Sequence, residues 1–124
     1  MIGFTLDTGA LIALARRRQR ATAFARVARE DGRTLTAPAN VVAEWWRKRT
    51  DVRELILASL VVEPMDEELA RSVGEALAAV VGATLVDANV VVSAARRGDI
   101  VLTTDVHDLA RLAARFPAVR VLRV

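Results

Sequence analysis

The sequence predicts an α/β domain with a mainly parallel central sheet and helices on both faces. Short apolar runs alternate with longer stretches of helical spacing along the whole chain, the rhythm of β–α units rather than of hairpins. The apolar runs are near-continuous, as strands covered on both faces require. At 124 residues the chain is the size of one compact domain, spanning 1–124, which buries roughly two-thirds of its unfolded surface. It contains no repeat, linker or low-complexity segment.

Residues 2–6 read as the first buried strand, and residues 11–15 as a helix with Arg16, Arg17 and Arg18 at its C-terminus, where the helix dipole favours cations. A second helix covers 21–29, and Gly32 breaks it before a brief strand over 33–36. Pro38 suits a helix start, so residues 40–49 and then 51–60 are expected to be helical. The next strand, 60–64, closes on Pro64. Asp66 caps a helix running to about Val80, with Glu67 and Glu68 in its first turn, and Gly82 follows. Residues 84–97 form a helix despite their valines, because Gly98 terminates them after two arginines. A strand over 100–103, a helix over 105–115 and a strand over 119–124 complete the chain.

Hydrophobic residues make up 53% and charged residues 27%, which excludes a disordered chain and a membrane span. That is more apolar than a small monomer requires, so a partner is expected to cover some surface. The absence of cysteine removes disulfides, thiolate metal sites and thiol nucleophiles, and fits a reducing cytoplasm. The single His107 excludes a histidine cluster and paired-histidine cleavage. The N-terminus is not patterned as a secretory signal, because Asp7 interrupts its apolar stretch and the arginines come after it. Of the 18 basic residues only Lys48 is lysine, which favours forked contacts to carboxylates or phosphates.

In an open parallel sheet, ligands bind outside the carboxyl ends of the strands. Asp7 ends the first strand and Asp105 follows the strand 100–103. Glu44 and Asp87 lie near helix starts, each within apolar sequence. Local roles are available to all four. Aspartate caps helices at strand-to-helix turns, Thr84 with Asp87 and Asp105 with Asp108 have capping spacing, and Glu44 with Lys48 is a helical pair. Each such role is worth about 1 kcal/mol or less. If the sheet brings the acids within about 4 Å, each like-charge pair costs on the order of 4 kcal/mol at an effective dielectric of 20. Capping does not offset that, whereas a hard divalent cation does. Mg²⁺ and Mn²⁺ prefer carboxylate and water oxygens, and Mg²⁺ keeps waters that can be activated toward a phosphodiester.

The ordered set Leu6-Asp7-Thr8, Val42-Ala43-Glu44-Trp45, Val86-Asp87-Ala88 and Leu102-Thr103-Thr104-Asp105 with Asp108-Leu109 resembles the PIN-domain ribonucleases, and more narrowly the VapC toxins of toxin–antitoxin pairs. The resemblance implies a single PIN-like domain acting as a Mg²⁺-dependent endoribonuclease, with Mn²⁺ as a substitute. It also implies a homodimer held inactive by a small antitoxin, with RNA as substrate in the cytoplasm. By position, Asp7, Asp87 and Asp105 would bind metal, and Glu44 would bind metal or hold the attacking water. Thr8 and Thr103 would support the pocket, and Asp108 would be either a cap or an outer acid. A metal-activated water would then cleave RNA to a 5′-phosphate and a 3′-hydroxyl.

Two other readings stand beside it. A receiver-like phosphoacceptor domain also has an acidic Mg²⁺ pocket, but it needs a lysine after a late strand, and here the only lysine is Lys48. A catalytically silent PIN-like RNA-binding module would retain the fold without the reaction. The arginines at 16, 17, 18 and 20 are either solvated or RNA contacts, while Arg47 and Arg49 suit RNA or an acidic antitoxin segment. Trp45 and Trp46 point about 100° apart on a helix, so one is expected in the core and the other free to anchor a partner.

Overall fold

A computed structural model describes Met1–Val124. The elements are β1 (Phe4–Leu6), α1 (Thr8–Ala15), α2 (Gln19–Asp31), β2 (Leu35–Pro38), α3 (Ala39–Trp45), α4 (Asp51–Ala58), β3 (Val61–Glu63), α5 (Glu67–Ala79), α6 (Leu85–Arg97), β4 (Ile100–Thr103), α7 (Val106–Ala113) and β5 (Arg120–Arg123). The strands form one sheet in the order β3-β2-β1-β4-β5, and every pairing is parallel. The sheet expected to be mainly parallel is wholly so.

Central β1 sets the register for both halves, with Phe4 opposite Leu35 of β2 and Ile100 of β4. The chain builds outward from β1 in one direction and from β4 in the other, so their carboxyl ends flank a topological switch point. Helices cover both faces, as the alternation of β1 requires. Phe4 meets Phe24 of α2 edge-on, with ring centroids 5.8 Å apart, while its neighbour Thr5 accepts a 2.7 Å hydrogen bond from Arg97 of α6 on the opposite face.

β1, β2 and β4 are wholly buried, and so is the run Ala88–Ala94 of α6, the most enclosed helix. Its valines have only modest helix propensity. Packing between sheet and neighbouring helices decides the outcome, as Thr84 and Gly98 stop the helix at its two ends. Arg97 then ties distant strands together, binding Glu63 at the end of β3 and Asp99 before β4.

Most elements differ from the sequence expectation by a few residues at one or both ends, and three differences have a clear physical reason. The strand placed at 33–36 runs over Leu35–Pro38, and Pro38 ends it before α3 begins. The strand placed at 60–64 is a short edge strand with Val61 and Val62 exposed, because it pairs on one side only. The helix placed at 40–49 stops at Trp45. Trp46 leaves helical geometry, with φ −79° and ψ 59°, so its ring folds back to 5.8 Å from that of Trp45. Of the two tryptophans, Trp45 is the one in the core. Trp46 also packs partly on the core, because the 100° separation holds only inside a helix.

Candidate active site

Asp7 follows β1 directly, and its N–H still reaches the Leu102 carbonyl at 3.2 Å, which sets it beside Thr103 at the end of β4. One carboxylate oxygen caps α1 by accepting the Ala10 N–H at 2.8 Å. The other accepts the hydroxyl of Thr103. That same hydroxyl oxygen accepts the Asp105 N–H at 3.0 Å, so Thr103 links the two aspartates. Asp105 in turn caps α7 by accepting the Asp108 N–H at 3.2 Å. Across the crevice Thr84 caps α6 by accepting the Asp87 N–H at 3.1 Å. The predicted capping spacings are therefore real, and capping does not exhaust what these acids do.

Burial pushes the Asp7 carboxyl above its ordinary value. The Thr103 and Ala10 hydrogen bonds oppose the rise, and the charges of Asp87 and Asp105 add to it. Asp87 is raised in the same way, first by burial. Thr84 opposes, while Asp108, Glu44 and Asp105 add repulsion. Asp87 thus lies within electrostatic reach of Glu44, Asp105 and Asp108, and Asp7 within reach of Asp87 and Asp105. None of these acids belongs to an ion pair of the chain. Asp7 and Asp87 are half-buried walls, and Glu44, Asp105 and Asp108 form an exposed rim.

No three acidic or histidine side chains close into a metal-ligand cluster. The donor chemistry nonetheless fits a hard divalent cation, because Mg²⁺ typically takes one or two carboxylates directly and reaches others through its waters. Thr8 supplies a matching feature: its hydroxyl, next in the chain to Asp7, is buried with no partner. His107 is exposed beside Asp105.

Two supports went unforeseen. Buried Asn89 donates to Asn40 of α3 at 3.0 Å and accepts the Ser93 hydroxyl at 2.9 Å, joining the two helices that carry Glu44 and Asp87. The sequence signal was an Asn and a Ser at i and i+4 inside a valine-rich helix. Gly9 permits a close approach of α1 to the loop after β4. A Cβ there would lie 2.2 Å from the Thr104 hydroxyl oxygen. A glycine in a first helical turn was its signal.

A parallel sheet in this order, with a carboxylate crevice at its switch point and no ion pair among those acids, defines an open α/β domain with an acidic crevice at the carboxyl ends of its strands. The PIN domain model matches residues 4–115, and the chain belongs to the PIN domain family. Solved structures share the fold over nearly the whole chain. DNA-bound VapBC from Salmonella typhimurium is similar at 20% identity and TM-score 0.67, covering 99% of this chain and 98% of its own. VapBC2 from Rickettsia felis, bound to a promoter DNA fragment, is similar at 14% identity and TM-score 0.74, with 100% and 99% covered. FitAB bound to an IR36 DNA fragment is similar at 19% identity and TM-score 0.64, with 97% and 94% covered. No curated protein matches by sequence.

Proposed function

We propose that this PIN domain is a Mg²⁺-dependent endoribonuclease, with Mn²⁺ as a substitute, acting as the VapC-type toxin of a toxin–antitoxin pair. The observation that carries the proposal is the convergence of Asp7, Glu44, Asp87 and Asp105 at the switch point with none of them held in an ion pair. The family membership supports a nuclease, and the likeness to VapBC and FitAB complexes supports a toxin with a protein antitoxin. A homodimer and a cytoplasmic setting belong to the same proposal. No helix is long and apolar enough to cross a membrane.

Asp7, Asp87 and Asp105 would hold the cation, with Glu44 completing the set. When bound, the cation would supply Lewis acidity toward water and positive charge for the phosphate oxygens. The chain does the rest. Thr103 keeps Asp7 oriented and favours its ionised form, and Thr84 does the same for Asp87. Glu44, exposed on the rim, orients the attacking water and receives its proton. The unpartnered Thr8 hydroxyl offers a hydrogen bond to water in the crevice. In-line attack then releases a 3′-hydroxyl and leaves a 5′-phosphate.

The receiver reading loses its footing, because receiver domains order their strands 2-1-3-4-5 and Lys48 is exposed after α3. Purified protein incubated with structured RNAs in Mg²⁺, Mn²⁺ or chelator, with an Asp7→Asn control, tests the nuclease. Metal-dependent cleavage by the wild type alone is expected. RNA binding without cleavage would instead identify a silent PIN-like module, and phosphorylation by acetyl phosphate without RNA cleavage would restore the receiver.

A further inference from the structure

The acid crevice shares Glu44 with a groove of about 450 Å³ between α1, α3 and α4. Arg16, Arg47 and Arg53 line it, and none of the three forms an ion pair. Arg47 Nε donates to the Glu44 carbonyl at 3.2 Å, and Arg53 Nη1 donates to the Lys48 carbonyl at 2.8 Å, so their charges stay uncompensated. Two further donors of the lining, the Trp45 indole N–H and Arg53 Nε, are buried with no acceptor. Glu44 is the one carboxylate among the lining residues. With three uncompensated guanidinium groups beside apolar Ile12, Ala15 and Val52, the groove suits an anionic ligand that carries both acceptor oxygens and apolar surface.

We propose that this groove binds the phosphodiester backbone of a single-stranded RNA, holding the phosphates that adjoin the bond placed in the crevice. The inference rests on the nuclease reading and names where its substrate lies. Guanidinium forks match phosphate oxygens in pairs, and single strands bind in basic grooves that track their backbone. An acidic peptide also offers oxygens. Position favours RNA, because the groove adjoins the acid crevice at Glu44 and its arginines lie beside that residue, within reach of the phosphates next to a bond held in the crevice.

The test is equilibrium binding of a fluorescent single-stranded RNA by anisotropy, in chelator so that no cleavage occurs, across a range of salt. Arg47→Gln/Arg53→Gln is expected to weaken binding about tenfold and to reduce the slope of log K against log salt by about 1.4, the value for two single-strand phosphate contacts. Arg16→Gln, at an exposed position, is expected to weaken binding severalfold and serves if the double variant fails to fold. Arg26→Gln/Arg29→Gln on α2 controls for general charge and is expected to bind like wild type. Equal binding by wild type and groove variants, or no binding by wild type, overturns the proposal. So does loss of binding to an oligoglutamate peptide with RNA binding unchanged, which would make the groove a peptide site. Because the readout needs no turnover, groove failure with retained metal-dependent cleavage leaves the nuclease reading standing.

Discussion

The Thr103 hydroxyl donates to Asp7 and, through the same oxygen, accepts the Asp105 N–H at 3.0 Å. One buried side chain therefore positions two acids from different β–α units. Thr103→Val should lower RNA cleavage roughly 10–100-fold, the usual cost of losing a partner that orients a ligand. It should also destabilise the fold by about 1–3 kcal/mol, since polar groups around it lose a buried partner. With the Thr103 bond gone, the Asp7 carboxyl rises further, so the acidic limb of the pH–rate profile moves to higher pH. Thr103→Ser should recover most of the activity and the original limb. A profile unchanged in Thr103→Val would show that the bond does not govern Asp7.

Asp7 also makes a prediction about stability. Its folded pKa is raised, so the folded protein holds that proton more tightly than the unfolded chain. The stability from that linkage is fully present below the unfolded value and is lost as pH rises through the folded one. Asp87 behaves alike. In metal-free buffer at neutral pH, Asp7→Asn should therefore melt above wild type, and the gap should close below about pH 4, near the unperturbed carboxylate pKa. Mg²⁺ or Mn²⁺ should raise the wild-type melting temperature and move that of the variant far less. Thermal scans across pH, with and without metal, check both. A variant less stable than wild type at neutral pH contradicts the sign.

Gly9 allows α1 to approach Thr104. Gly9→Ala places a Cβ 2.2 Å from the Thr104 hydroxyl oxygen, so Thr104 must turn or the loop before Asp105 must shift. The expected cost is about 1–3 kcal/mol with reduced cleavage. Gly9→Ala/Thr104→Ala leaves the new Cβ 3.4 Å from the Thr104 Cβ, an ordinary contact, and should restore both. Equal defects in the single and double variants would place the cause elsewhere.

Asn89→Leu leaves Asn40 and Ser93 without their shared partner and should cost about 1–3 kcal/mol. Because Asn40 and Asn89 join the helices that carry Glu44 and Asp87, kcat should fall as well. Denaturant unfolding with steady-state kinetics measures the two effects together. Unchanged stability would remove the network from the account.

Much of this architecture was legible in the residues. Asp7 and Asp105 each follow an apolar strand, so their place at the carboxyl end of the sheet follows from strand direction alone. The Thr84–Asp87 and Asp105–Asp108 caps follow from spacing. The approach of Glu44 to Asp87 was not legible, because it depends on how α3 packs against α6, and the Asn40–Asn89 bond that records this packing spans 49 residues. The end of α3 at Trp45 was not legible, because the helix stops without the glycine or proline that normally marks a stop. The exposure of Val61 and Val62 was not legible, because an apolar run does not reveal which strand lies at the edge.

The most direct test of the central claim is RNA cleavage by the purified protein with the ends of the products mapped. The account predicts cleavage in Mg²⁺ or Mn²⁺ that leaves 5′-phosphate and 3′-hydroxyl ends, stops in chelator and is absent in Asp7→Asn at unchanged folding. Full cleavage by Asp7→Asn, or by the wild type in chelator, with contaminating nuclease excluded, would contradict it.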